Sequence, residues 1–210
     1  MKDIILLGGG GHCKSVIDSI RGANKFKIMG ILDVKEKVGT VVNEIEILGS
    51  DEKLDDYYKL GIRYAFITLG STGNANLRQK LYQKAIKVGY KFPLIIDRTA
   101  IMSKCVQIGD GTFIGKGTII NTDVSIGMNC IINTGAVIEH DCVIGKFCHI
   151  APGSTLSGGV SIGDGTHIGT NSTIIQDINI GNNTIIGAGS VVVRDIRSTT
   201  KAYGNPCREV

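Results

Sequence analysis

The sequence predicts a small parallel α/β domain followed by a parallel β-helix built from hexapeptide repeats. Three observations carry that expectation: a strand–glycine turn–helix start, a six-residue repeat that runs unbroken through the second half, and a glycine excess. Glycine supplies 29 of 210 residues, roughly twice ordinary usage. Collagen is excluded, because glycine does not recur every third residue and there are only 3 prolines. Disorder is excluded by a 42% apolar content and a positive mean hydropathy, which leave ample surface to bury.

The first elements follow from the local pattern. Lys2–Leu7 is an apolar run that ends on four glycines, Gly8–Gly11, and is expected to be a buried strand, a tight turn and then a helix through about Ser19. A second strand, Phe26–Leu32, ends at Asp33. A helix near Asp51–Lys59, a strand Arg63–Leu69 and a helix Asn74–Val88 complete an alternation that makes a small parallel sheet.

Composition then shifts near Pro93–Ala100. The first hundred residues hold 12 glycines and 27 charged residues, whereas residues 101–192 hold 16 and 9. Two domains are expected, residues 1–95 and 96–210. Stepping by six from Met102, through Ile108 and Leu156 to Val192, meets a large aliphatic residue at all sixteen positions. Glycine follows directly at positions such as Gly109, Gly127, Gly145 and Gly163, and a small or β-branched residue precedes by two, as at Thr112, Cys130 and Ser154. Neither the helical period of about 3.6 nor the strand period of 2 explains this spacing. A short strand and a corner every six residues does. The glycines are expected at corners that need positive φ. Three faces of six residues close one coil, so residues eighteen apart stack, and sixteen repeats make about five coils, ~25 Å tall. Cys130 and Cys148 then form a stacked pair with Cys142 in the same phase, as small wall residues.

Partners and compartment are constrained less. A net charge of +4 without any Lys/Arg block does not suggest nucleic acid. No apolar run approaches the roughly 18 residues of a spanning helix, and the N-terminus lacks a signal-cleavage pattern. The six cysteines are expected to be reduced thiols of a cytoplasmic protein.

Chemistry-bearing residues are few. A glycine turn after the first strand aims backbone N–H groups and a helix N-terminus at whatever binds there, which suits phosphate, and Asp33 stands where dinucleotide folds keep a ribose-binding acid. The run GGGGH is not the full G-x-G-x-x-G, so a nucleotide site and a plain tight turn both stand, and His12 could equally be a helix-start residue. Of the four histidines, His149 and His167 are eighteen apart and stack, while His140 lies half a coil away from His149, between Glu139 and Asp141. An imidazole whose tautomer is set by a carboxylate is the ordinary general base near neutral pH. A solvated surface histidine and a three-histidine metal site are the competing readings of His140.

The strand-plus-GGGGH start, FITLGS, the INTGAVIEHDCVIG block, the hexapeptides and the AYGNPCR tail together resemble the sialic-acid O-acetyltransferase and UDP-amino-sugar N-acetyltransferase family, the NeuD/PglD-like enzymes. The resemblance covers essentially the whole chain, and the IEHD block is its most specific element. It implies a Rossmann-like sugar-nucleotide-binding domain, a left-handed parallel β-helix that binds acetyl-CoA, and a homotrimer with active sites between neighbouring β-helices. It also implies direct attack of an amine of a UDP-4-amino-sugar on the thioester, without metal, nucleic-acid or membrane partner; O-acetylation of a sialic-acid-type hydroxyl is the alternative. By motif position His140 would be the general base, Asp141 its supporting carboxylate and Gly158 the oxyanion donor. His149 would contact acetyl-CoA near the thioester, and Gly169, Thr170, Gly187 and Ala188 would line its pantetheine arm. Gly10, Gly11, His12 and Asp33 would bind the nucleotide sugar. Two departures stand out: Asp141 replaces the Glu frequent in the family, and Cys207 stands where Ala is usual.

Overall fold

The computed structural model describes residues 1–210 and divides into two compact units, Met1–Gly70 with Asn76–Ile96, and Ser71–Ala75 with Asp97–Val210. In the first unit β1 (Lys2–Leu7) leads through the glycine turn into α1 (Gly11–Ala23), then β2 (Phe26–Leu32), β3 (Val41–Val42), β4 (Ile45–Gly49), α2 (Leu54–Lys59), β5 (Tyr64–Ile67) and α3 (Asn76–Val88). The sheet order is β3-β4-β2-β1-β5. All pairings are parallel except β3–β4. Ile4–Leu7 are each at most 1% exposed, as expected of a central parallel strand covered on both faces.

Helix α1 runs four residues beyond its expected end. Its buried side chains Cys13, Val16, Ile17 and Ile20 keep the i, i+3, i+4, i+7 spacing of a core-facing stripe. It stops at Asn24, which takes the left-handed conformation (φ 53°) and donates its N–H to the Ile20 carbonyl. The expected helix at Asp51–Lys59 is a 3-10 turn over Asp51–Lys53 that continues into α2. The β3–β4 hairpin was not expected. Its two-residue turn, Asn43-Glu44, holds both residues at positive φ, the geometry that suits tight hairpins. The sequence signal was Val41-Val42 on one side of Asn43-Glu44 and the alternating Ile45 and Ile47 on the other.

In the second unit every repeat contributes a two-residue strand. Eighteen-residue register is strict: Ile119 pairs with Val137, Ser125 with Val143, and Ile131 with His149. The strands form three faces. The first carries Phe113–Ile114, Ile131–Ile132, His149–Ile150, His167–Ile168 and Ile185–Ile186, the second runs from Ile101–Met102 to Val191–Val192, and the third from Gln107–Ile108 to Asn179–Ile180. The second residue of each pair points inward, and all sixteen phase positions are buried except Met102 and Ile108 at the open first coil. A C-terminal hairpin, Lys201–Gly204 with Cys207–Glu209, adds to the end of the first face.

The expected role of the glycines needs correction. Positive φ occurs three residues after the inward aliphatic, at Gly111, Gly117, Asp123, Asn129, Gly135, Asp141 and onward to Gly189. The glycines that directly follow the aliphatic do not share it. They are there because the next coil lies against them: a Cβ built on Gly109 would sit 2.5 Å from the Met128 nitrogen, and one on Gly127 2.7 Å from the Gly145 carbonyl carbon. One repeat thus has two separate glycine requirements, a close approach and a left-handed corner, and Asn or Asp meets the second at modest cost.

Where the residue two before the aliphatic is Ser, Thr or Cys, it is a buried donor. Thr112, Ser154 and Ser172 donate to the carbonyls of Gly127, Gly169 and Gly187 at 2.8–2.9 Å. Cys130 and Cys148 do the same more weakly to Gly145 and Gly163, at 3.0 and 3.1 Å. Each reaches a backbone carbonyl fifteen residues on, which gives these free thiols a structural task.

Candidate active site

His140 occupies the corner between the second and third faces, two residues past the inward Ile138. The next residue, Asp141, is one of the left-handed corners (φ 61°). That backbone aims its carboxylate back at the imidazole, with Asp141 Oδ2 2.8 Å from His140 Nδ1. Asp and Asn tolerate this conformation better than most residues do. The hydrogen bond and charge of Asp141 hold the His140 pKa above its ordinary value. With Nδ1–H given to the carboxylate, Nε2 is the free acceptor.

Gly158 stacks one coil above His140. Its missing side chain makes room for the ring: a Cβ there would fall 2.5 Å from His140 Cε1 and 2.7 Å from Nε2. The neighbouring turn is pinned by Gly159 N–H donating to the His140 carbonyl at 2.9 Å, whereas the N–H of Gly158 has no partner in the chain. An unpaired N–H beside a carboxylate-supported imidazole can stabilise an oxyanion while the ring takes a proton.

Thr170 and Ala188 also keep unpaired N–H groups. They stack on the corner between the first and second faces, each two residues past an inward isoleucine. Gly169 and Gly187 beside them are close-approach positions, packed on the Ala188 nitrogen and on Tyr203 Cβ. One face of the prism separates this corner from His140 and Gly158, so a single chain does not bring the two groups together.

His149 is held elsewhere. Its side chain points out of the first face but is only 7% exposed, because Ser71 covers it. Nδ1–H donates to the Ser71 carbonyl at 2.5 Å, and Nε2 lies 3.1 Å from Asn133 Nδ2. The His167 ring is edge-on at 4.9 Å, and burial holds its pKa below the ordinary value. His149 and His167 adjoin as the spacing indicated, and His140 does not join them. Asn133 was missed in the sequence. The available signal was its phase, since it stands directly after an inward isoleucine, where half of the repeats carry glycine.

At the glycine turn, Gly8 takes φ +109° and donates to the Leu32 carbonyl at 2.8 Å. Asp33 is turned inward onto this turn. Oδ2 accepts from Gly9 N–H at 2.6 Å and from Lys37 Nζ at 3.0 Å, and Oδ1 from Val34 N–H at 2.7 Å. Burial pushes its pKa up, but those two N–H groups and Lys37 outweigh it and hold the carboxyl below its ordinary value. Gly10 caps α1, and the N–H groups of Gly10 and Gly11 have no acceptor in the chain. Both glycines are open, with no atom within 4 Å of a built Cβ, and His12 beside them is half-buried. A cavity of about 150 Å³ opens here, lined by Leu7, Gly8, Leu32, Asp33 and Leu69. It lies at the carboxyl ends of the strands, where the order reverses about β1, the usual ligand crevice of open parallel sheets.

This fold and these residues define a hexapeptide-repeat transferase with an α/β head. Residues 3–85 match the PglD N-terminal domain, and residues 105–140 and 159–194 match the bacterial transferase hexapeptide (six repeats). Among solved structures, PerB from Caulobacter crescentus, in complex with CoA and GDP-perosamine, is 37% identical with a TM-score of 0.94, over 100% of this chain and 98% of that one. The acetyltransferase domain of PglB from Neisseria gonorrhoeae, in complex with acetyl coenzyme A, is 27% identical with a TM-score of 0.90, over 100% and 99%. WeeI from Acinetobacter baumannii shares the fold, at 24% identity and a TM-score of 0.86 over the whole of both chains. No curated protein matches. The chain belongs to the PglD/NeuD-like hexapeptide acyltransferases, whose β-helix is left-handed. No helix is long and apolar enough to cross a membrane.

Proposed function

We propose that the protein transfers an acetyl group from acetyl-CoA to the amine of a nucleotide-linked amino sugar. The observation that carries this reading is the His140–Asp141 pair beside the unpaired N–H of Gly158. In the proposed step the neutral amine attacks the thioester carbonyl, His140 Nε2 takes the amine proton, and Gly158 N–H receives the developing oxyanion. Collapse of the tetrahedral intermediate expels CoA as the thiolate, which the imidazolium protonates. No covalent enzyme intermediate is required, and the buried, free thiols of Cys142 and Cys148 are poor nucleophiles. Burial raises the pKa of Cys142 to about 11, and the hydrogen bond with Cys130, together with burial, holds that of Cys148 well above its ordinary value.

The glycine turn is the proposed nucleotide-sugar site, with Gly10 and Gly11 N–H groups facing phosphate. The 37% identical Caulobacter structure holds GDP-perosamine, so GDP-linked amino sugars are tested first and UDP-linked 4-amino sugars beside them. The pantetheine arm would lie along Thr170 and Ala188. Because these sit a full face away from His140, the reading needs a second copy, with the corner of one β-helix facing that of the next, and a homotrimer closes such a ring.

The test is CoA release by purified protein given acetyl-CoA with GDP- and UDP-linked amino sugars, and with CMP-sialic acid for the hydroxyl alternative. Release with an amino sugar and loss of roughly a hundredfold in His140→Ala is expected. Near-normal turnover in that variant overturns the assignment. Light scattering should give a mass of three chains, and a monomer that remains active would overturn the shared site.

A further inference from the structure

The corner that carries His140 continues upward. Val191–Val192 stacks in register on Thr173–Ile174, and that pair on Thr155–Leu156 and Val137–Ile138. The residue two past each inward aliphatic is therefore His140, Gly158, Gln176 and then Arg194. Arg194 lies two coils above Gly158, ~10 Å at the ordinary strand spacing.

Arg194 is exposed and makes no hydrogen bond or ion pair. The acids near it are engaged: Asp195 accepts from Asn179 N–H at 2.8 Å, and Glu209 accepts from Arg197 N–H and Nε at 2.8 Å each. With Arg208 it borders a cavity of about 320 Å³ at the end of the prism. A guanidinium with its donors unspent, above an oxyanion-type N–H, is suited to a phosphate.

We infer that Arg194 binds the diphosphate of coenzyme A. The inference rests on the proposed function, which sets the thioester at Gly158. From there the pantetheine arm, about four residue lengths of chain, spans up to ~14 Å when extended. Run up this edge, it delivers the diphosphate to the level of Arg194 or just beyond it, toward Arg208. The unpaired N–H groups of Thr170 and Ala188 rise in the same direction on the corner that a neighbouring copy would present.

Titration calorimetry of the intact protein with CoA, dephospho-CoA and pantetheine tests this without any acceptor sugar. Arg194→Ala should weaken CoA about tenfold, the loss of one charge-assisted contact. Dephospho-CoA, which keeps the diphosphate, should weaken equally, pantetheine should not, and Arg194→Lys should recover part of the affinity. An unchanged CoA Kd, or an equal loss with pantetheine, overturns the inference. A loss with CoA but not dephospho-CoA overturns it too, by assigning Arg194 to the 3′-phosphate. Failure of sugar acetylation with Arg194-dependent CoA binding intact would instead sink the acceptor reading alone, and no CoA binding by the unaltered protein would sink both.

Discussion

The ring of His140 lies directly over the backbone of Gly158, so close that a methyl group on Gly158 would fall 2.5 Å from Cε1 and 2.7 Å from Nε2. Base and N–H donor are thus set by one contact between residues on successive coils. Gly158 is not at a left-handed φ, so the imidazole, rather than backbone strain, is what a side chain there meets first.

Gly158→Ala should therefore fold normally yet lose activity. The ring must swing away to admit the methyl, and a misplacement of ~1 Å at a reacting group costs on the order of a hundredfold. Melting temperature and kcat measured together check this; a large drop in stability, or unchanged kcat, would contradict it.

Asp141→Asn isolates the carboxylate, because Asn keeps the left-handed corner that Ala would strain. Asp141 raises the His140 pKa, and a general base works deprotonated, so the rising limb of kcat/KM against pH should lie above about 6.5, the ordinary histidine value. In the variant that limb should move to lower pH, with a lower plateau because the base is weaker. A limb that stays in place would show that His140 is not the titrating group.

Asp33→Ala removes the acceptor of Gly9 N–H and the partner of Lys37. Stability should fall by about 1–3 kcal/mol, the cost of losing a buried hydrogen-bonded acceptor, and nucleotide affinity should fall with it as the turn loosens. Since the folded carboxyl is held below its ordinary value, its stabilisation is complete above about 3.9 and is lost as pH falls through the lower folded value. Urea titrations of both proteins should converge in acid. A gap that persists there would refute the charge-based account.

The two glycine requirements can be separated. Gly127→Ala pushes a methyl into backbone of the next coil at 2.7–2.8 Å, an overpacking cost of about 1–3 kcal/mol or more. Gly135 has open space but φ +66°, so Gly135→Ala should cost about 1–2 kcal/mol and Gly135→Asn less. Denaturant midpoints should fall in that order. Equal effects of Gly135→Ala and Gly135→Asn would contradict the conformational explanation.

Much of this architecture was legible before any coordinates. The step from Met102 to Val192 by sixes reports an in–out alternation that each two-residue strand expresses locally, and β1 and β2 end where their apolar runs end. The Asn43-Glu44 hairpin went unread because β4 is secured by pairing with β2 rather than by a strong pattern of its own. His149 was nominated beside His140 from motif position alone. Its coverage by Ser71, seventy-eight residues away, has no local signature.

By itself the sequence determined the period of the β-helix, the glycine turn at the head of α1, and the adjacency of His140 and Asp141, since all three are set within a few residues of chain. The tertiary structure decided the rest. It turned the Asp33 carboxylate onto Gly9, divided the glycines between close approach and left-handed corners, and set Thr170 and Ala188 a full face away from His140. The first relation depends on β1 and β2 lying side by side, which sets Asp33 against Gly9 across twenty-four residues. The other two depend on how eighteen-residue coils close and stack, a closure that no residue fixes through its immediate neighbours.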